Sequence, residues 1–141
     1  MIPEAVLLMA LSLGAKYQID PNLILAVIKV ESNFKVTAKG KSHGEVGLMQ
    51  LHPRYFKTKY DVKHNMETGV RYLAQVKKQC EPRYGRAWVV CYNTGTTKKL
   101  KNPGGARYYK KVSLAYEEIK GQNRGRFIPS ASLVCSAEIP R

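Results

Sequence analysis

Apolar residues in this chain gather in blocks with helical rather than alternating spacing, separated by stretches rich in glycine and lysine. The first block, from Pro3 to Ala15, is apolar almost all round, which predicts a helix packed on several sides. Asp20 followed by Pro21 couples a capping side chain to a residue with its backbone angle already set, and predicts a second helix to Ser32. NFKVTAKGKSHGEVG reads as a loop, and GLMQLHPRYF as a short helical turn before Pro53. From Asn65, the residues Met66, Val70, Leu73 and Val76 fall near one face, a third helix despite Gly69 in its interior. Pro82 separates it from RAWVVCYN, a short helix that Gly95 ends. After a second basic loop, TTKKLKNPGG, the residues Tyr108, Val112, Ala115 and Ile119 keep helical spacing up to Gly121. Residues 122–141 keep neither period and read as a C-terminal tail to a domain of residues 1–121. There is no convincing strand and no internal repeat, so the class is all-α: a compact bundle of unequal helices in a single domain.

Glu31 breaks the pattern. Ile28, Val27 and Ile24 lie three, four and seven residues before it, so its carboxyl continues a stripe that should be buried. Desolvation and the negative end of the helix dipole both disfavour the charged form there and push the pKa upward. An acid held protonated near neutral pH suits glycosidic cleavage, because the leaving oxygen departs poorly until it receives a proton. Periodicity alone leaves open a glutamate that turns out to solvent at a frayed helix end.

Charge adds a partner class. With 24 basic and 10 acidic residues the formal charge is +14, which points to a polyanion: nucleic acid, an acidic glycan or an anionic membrane surface. The basic residues are scattered, with no zinc-finger spacing, RNA-binding signature or continuous basic helix, so no dedicated nucleic-acid binding is expected. A solvated basic surface is the plainer alternative. Cys80, Cys91 and Cys135 are too few and too widely spaced for a zinc cage, and their odd number predicts free thiols, with a Cys80–Cys91 pair as the alternative. The apolar start has no basic residue ahead of its centre and carries Glu4, so it reads as a folded helix rather than an export leader. No run is long enough to span a membrane.

ESNF at Glu31, GLMQ about fifteen residues later, and CYNTG further on form a series that resembles the motifs of the soluble-type lytic transglycosylases. These are lysozyme-like enzymes that cleave bacterial peptidoglycan. NMETGVRYL and YYKKVSLAY are similar to that family's supporting helices, and the resemblance runs from Pro3 to Gly121. It implies that Glu31 is the catalytic acid and that Ser32 orients it or binds the glycan. It implies further that Gly47, Leu48, Met49 and Gln50 line the groove floor, and that Tyr92, Asn93 and either Tyr108 or Tyr109 shape the site, with Tyr108 preferred because Val112 and Tyr116 follow it at four-residue intervals. A core role for Met49 and for Tyr92 is the plainer alternative. Cys91 stands where the family usually has alanine, and Gly95, Thr96 and Thr97 replace its glycine-proline.

No partner carboxylate is obvious; only Glu45, in GEVG just ahead of GLMQ, could face the groove. Hydrolysis ordinarily takes two carboxyl groups. The family's chemistry needs one, since the 6-hydroxyl of N-acetylmuramic acid attacks its own anomeric carbon. No metal or cofactor is called for. The resemblance implies peptidoglycan glycan strands as partner and action in the periplasm or cell wall. The start of the chain adds the expectation of carriage by a phage virion or secretion apparatus.

Overall fold

A computed structural model describes residues 2–95 and 103–124. The chain is all-α: α1 (Glu4–Tyr17), α2 (Pro21–Ser32), α3 (Val62–Tyr84), a 3-10 turn (Gly85–Val89) running into α4 (Val90–Thr94), and α5 (Pro103–Gln122). Among the described residues the extended pairing is confined to two isolated antiparallel bridges between α2 and α3, Lys39 with Val46 and Val46 with Leu51. Among the same residues no helix is long and apolar enough to cross a membrane.

The Asp-Pro start signal behaves as predicted. Asp20 caps α2, its Oδ1 accepting from the Asn22 N–H at 2.8 Å, and Pro21 opens the helix. Every residue from Pro21 to Ile28 is buried, so α2 is the axis on which α1 and α5 pack. With that centre occupied, α1 needs only one inward face: Val6, Ala10, Leu13 and Gly14 are buried, whereas Leu8 is 57% exposed. Its apolar composition therefore overstates its burial.

α5 runs back along α2. Near its end the Tyr116 hydroxyl donates to Asp20 Oδ2 at 2.5 Å, and just beyond it Asn123 Nδ2 donates to Asn22 Oδ1 at 3.1 Å. These buried bonds fix the end of α5 against the start of α2. The antiparallel course then brings the first turns of α5 to the last turn of α2, where Glu31 stands.

α3 begins before Asn65, because Asp61 caps it by accepting from the His64 N–H at 2.9 Å. Pro82 does not end α3, contrary to the sequence expectation. It is exposed in the last turn, where its ring meets solvent, and Gly85 at φ 54° is the residue that turns the chain. Cys80 and Cys91 are not free thiols: both are buried and joined by a disulfide that ties α3 to α4. The pairing depends on the tight return of the chain through the 3-10 turn, which the spacing alone does not reveal. α5 takes in Pro103, Gly104 and Gly105 from the expected second basic loop, and it runs through Gly121, where a side chain would meet open space. The rest of that loop (96–102), most of the expected tail (125–141) and Cys135 lie outside the described residues.

Candidate active site

Glu31 stands in the last turn of α2, partly buried. Asn33 closes the helix at φ 49° and Phe34 follows at φ 64°, so the backbone leaves α2 in a sharp left-handed turn. From α5 the Tyr108 hydroxyl donates to Glu31 Oε2 at 2.9 Å. Burial raises the Glu31 carboxyl from its ordinary 4.5 to about 7; the Tyr108 bond opposes the rise, and the negative charge of Glu45 adds to it. Tyr108, buried, is the tyrosine that reaches the carboxyl, and burial followed by the charge of Glu31 holds its own hydroxyl well above the usual range. The Ser32 hydroxyl donates back to the Ile28 carbonyl at 3.1 Å, within its own helix.

GLMQ forms a tight turn rather than a helical one, held between the bridged residues Val46 and Leu51. Gly47 takes φ 78°, and a Cβ on it would overlap the Asn65 amide. That amide, fully buried in α3, organises the turn: Oδ1 accepts from the Met49 N–H at 2.9 Å, while Nδ2 donates to the Val46 carbonyl at 2.9 Å and the Lys59 carbonyl at 3.1 Å. Leu48 and Met49 are wholly buried, and Met49 packs against Gly69, where any side chain would collide with it. Close approach of the loop to α3 is the reason for a glycine inside that helix. Gln50, at φ 50°, turns its Nε2 to the Gly47 carbonyl at 2.9 Å and the Ala38 carbonyl at 3.2 Å. In this arrangement Gln50, half-buried, can meet a ligand, while Gly47, Leu48 and Met49 are buried and belong to the core.

α4 supplies Tyr92 and Asn93. The Tyr92 hydroxyl donates to the Met49 carbonyl at 2.6 Å, and its ring lies 5.4 Å from that of Tyr72 on α3. Burial, then the charge of Glu31, then Tyr72 keep the Tyr92 hydroxyl well above its usual range. Asn93 is exposed next to it. Across the site Glu45 Oε1 accepts from the His43 N–H at 2.9 Å. Partial burial would raise the Glu45 carboxyl, but hydrogen bonds from its own and the His43 N–H and the nearby rings of His43 and His52 bring it below the ordinary value. The two carboxyls are thus driven apart, Glu31 toward the protonated form and Glu45 toward the ionised one.

The structure brings Glu31, Tyr108 and Tyr92 into one electrostatically coupled cluster, with the GLMQ turn bonded to it through Met49. Asn65, Tyr72 and Gly40 belong to the same construction and are not predicted as site residues. Asn65 and Tyr72 lie in the NMETGVRYL helix, but their contacts run to segments distant in sequence. A Cβ on Gly40 would meet both the Glu45 carboxyl and Gln50 Oε1, so that glycine lets the two side chains share one corner. Among the described residues no group of three histidine, cysteine or acidic side chains is arranged to hold a metal ion.

Comparison with protein families gives a match to the transglycosylase SLT domain over residues 9–115, a stretch that includes Glu31, the GLMQ turn, Tyr92 and Tyr108. No solved structure matches the chain.

Proposed function

The chain belongs to the transglycosylase SLT domain family, and from that premise we propose that it cleaves the β-1,4 bond between N-acetylmuramic acid and N-acetylglucosamine in peptidoglycan, leaving 1,6-anhydro-N-acetylmuramic acid ends. The observation that carries this reading is the Glu31–Tyr108 pair: a partly buried carboxyl raised to about 7 with a phenol at 2.9 Å from Oε2.

Glu31, protonated, gives its proton to the glycosidic oxygen as the bond to the muramic anomeric carbon breaks. The carboxylate so formed is stabilised by the Tyr108 hydroxyl, which favours the charged form. The 6-hydroxyl of the same sugar then closes on the anomeric carbon, and Glu31 takes that proton back. No water is consumed, and one carboxyl serves as acid and then base. Gln50 and Asn93 contact the glycan, while Gly47, Leu48 and Met49 act by holding the turn against Asn65 and the core. Ser32 marks the end of α2 beside the cleft and Tyr92 supports the turn through the Met49 carbonyl. Action on this substrate places the protein at the cell wall.

Glu45 favours a second reading. An ionised carboxyl close enough to raise the pKa of Glu31 could hold a water molecule and direct the reaction to hydrolysis of the same bond. Incubation with purified sacculi tests the shared core of both readings. The protein should release soluble muropeptides and Glu31→Gln should not, since the amide keeps shape and hydrogen bonding but delivers no proton. Equal release by the variant would remove Glu31 from the mechanism.

A further inference from the structure

The loop between α2 and α3 carries a row of rings, with His52 half-buried between the exposed His43 and Tyr55. Val46 pairs antiparallel with both Lys39 and Leu51, so Glu45 stands beside His52 in the row next to the bridges. The His52 ring lies 4.9 Å from that of His43 and 5.0 Å from that of Tyr55, and the Arg54 guanidinium lies 5.8 Å from the Tyr55 ring. His52 Nδ1 lies 3.1 Å from the Arg54 N–H and accepts its hydrogen bond. Tyr55 is 70% exposed. Its neighbour Phe56 turns the other way, onto the ring of Tyr72 at 5.1 Å, and Tyr72 in turn packs on Tyr92. The exposed rings are therefore anchored through Phe56 to the site itself.

We propose that His52, Arg54 and Tyr55, beside Glu45, form a second saccharide platform next to the GLMQ turn, one that takes a sugar ring bearing a carboxylate substituent. The inference rests on the peptidoglycan reading and extends it. Sugar rings present apolar C–H faces that stack on exposed aromatic rings, and hydroxyl edges that suit an imidazole N–H and a carboxylate. Arg54 supplies the complement to an anionic substituent, such as the lactyl carboxylate of a muramic acid without its peptide stem. Continuity with the site comes from the chain itself: Gln50 to Tyr55 spans at most about 18 Å even if fully extended. A glycan strand is long enough to reach both.

Binding of soluble glycan strands to otherwise intact Glu31→Gln protein tests this without turnover, using peptidoglycan strands stripped of their peptide stems, whose lactyl carboxylates are free, and β-1,4 strands of N-acetylglucosamine alone, which carry none. Tyr55→Ala should weaken binding of both about fivefold, and Arg54→Ala should weaken binding of the muramic-acid strands alone. Tyr60→Ala, which removes another exposed tyrosine, should bind as the parent does. A Tyr55→Ala protein that binds as tightly as its parent, or a Tyr60→Ala protein that loses as much, would overturn the platform. Tyr55-dependent binding by a wild-type protein that releases no muropeptides would sustain the platform and sink the lytic reading. Failure of the parent to bind either strand would sink both.

Discussion

The Tyr108 hydroxyl donates to Glu31 Oε2 at 2.9 Å across the packing of α5 on α2, a contact between residues far apart in the chain. Because the phenol favours the carboxylate, it holds the Glu31 pKa lower than burial alone would set it. In Tyr108→Phe the carboxyl should rise above about 7, moving the alkaline limb of kcat/KM for muropeptide release to higher pH. The maximal rate should fall as well, because the carboxylate formed during bond cleavage loses its donor. A limb that stays in place or moves to lower pH would show that Tyr108 does not act on Glu31.

Burial of Glu31 has a separate consequence for stability. The folded protein holds this proton up to about pH 7, while the unfolded chain releases it near 4.5. Between those values the folded state binds more protons, so stability is fully present below 4.5 and is lost as pH rises through about 7. Glu31→Gln has no proton to lose. It should match the wild type at pH 4 and exceed it by roughly 1–3 kcal/mol above pH 8 in urea unfolding. A constant difference at the two pH values would mean that the carboxyl is solvated.

Asn65 should be the most sensitive polar residue outside the cleft. Its amide satisfies the Met49 N–H and the Val46 and Lys59 carbonyls from a buried position. Asn65→Ala removes all three bonds and should cost about 3 kcal/mol or more, with loss of muropeptide release even where the protein stays folded. Full activity with an unchanged unfolding midpoint would contradict a role for this amide in shaping the GLMQ turn.

Legibility in the sequence depends on the range of the interaction. The Asp20-Pro21 start and the stripe through Ile24, Val27 and Ile28 are local, so α2 and the unusual position of Glu31 can be read directly. The all-α class comes from the same 3.6-residue period. Family resemblance together with the four-residue spacing to Val112 and Tyr116 favours Tyr108 over Tyr109, but the bond to Glu31 depends on how α5 returns along α2 and is not legible. Gly40, Gly69 and Asn65 act through close approach of the loop to α3 and to itself, and no local pattern encodes that. Pro82 misleads because a proline in the exposed last turn of a helix is tolerated when the real stop, Gly85, lies just beyond. The Cys80–Cys91 bridge could be named only as the alternative to free thiols for a related reason: its partners meet only after the 3-10 turn has reversed the chain.

That bridge ties the end of α3 to the element that carries Tyr92. Reduction, or the paired change Cys80→Ser with Cys91→Ser, should destabilise the protein by about 2–4 kcal/mol. The lowered midpoint should appear in thermal unfolding with and without reductant. Identical melting of oxidised and reduced protein would mean that packing alone holds α4 in place.

The identity of the released ends decides whether Glu31 works alone. If one carboxyl acts as acid and then base, mass spectrometry of muropeptides from digested sacculi should find chains ending in 1,6-anhydro-N-acetylmuramic acid, lighter by one water than hydrolytic ends. Predominantly hydrated reducing ends would contradict the transglycosylase mechanism, and their loss in Glu45→Gln would identify Glu45 as the group that positions the water.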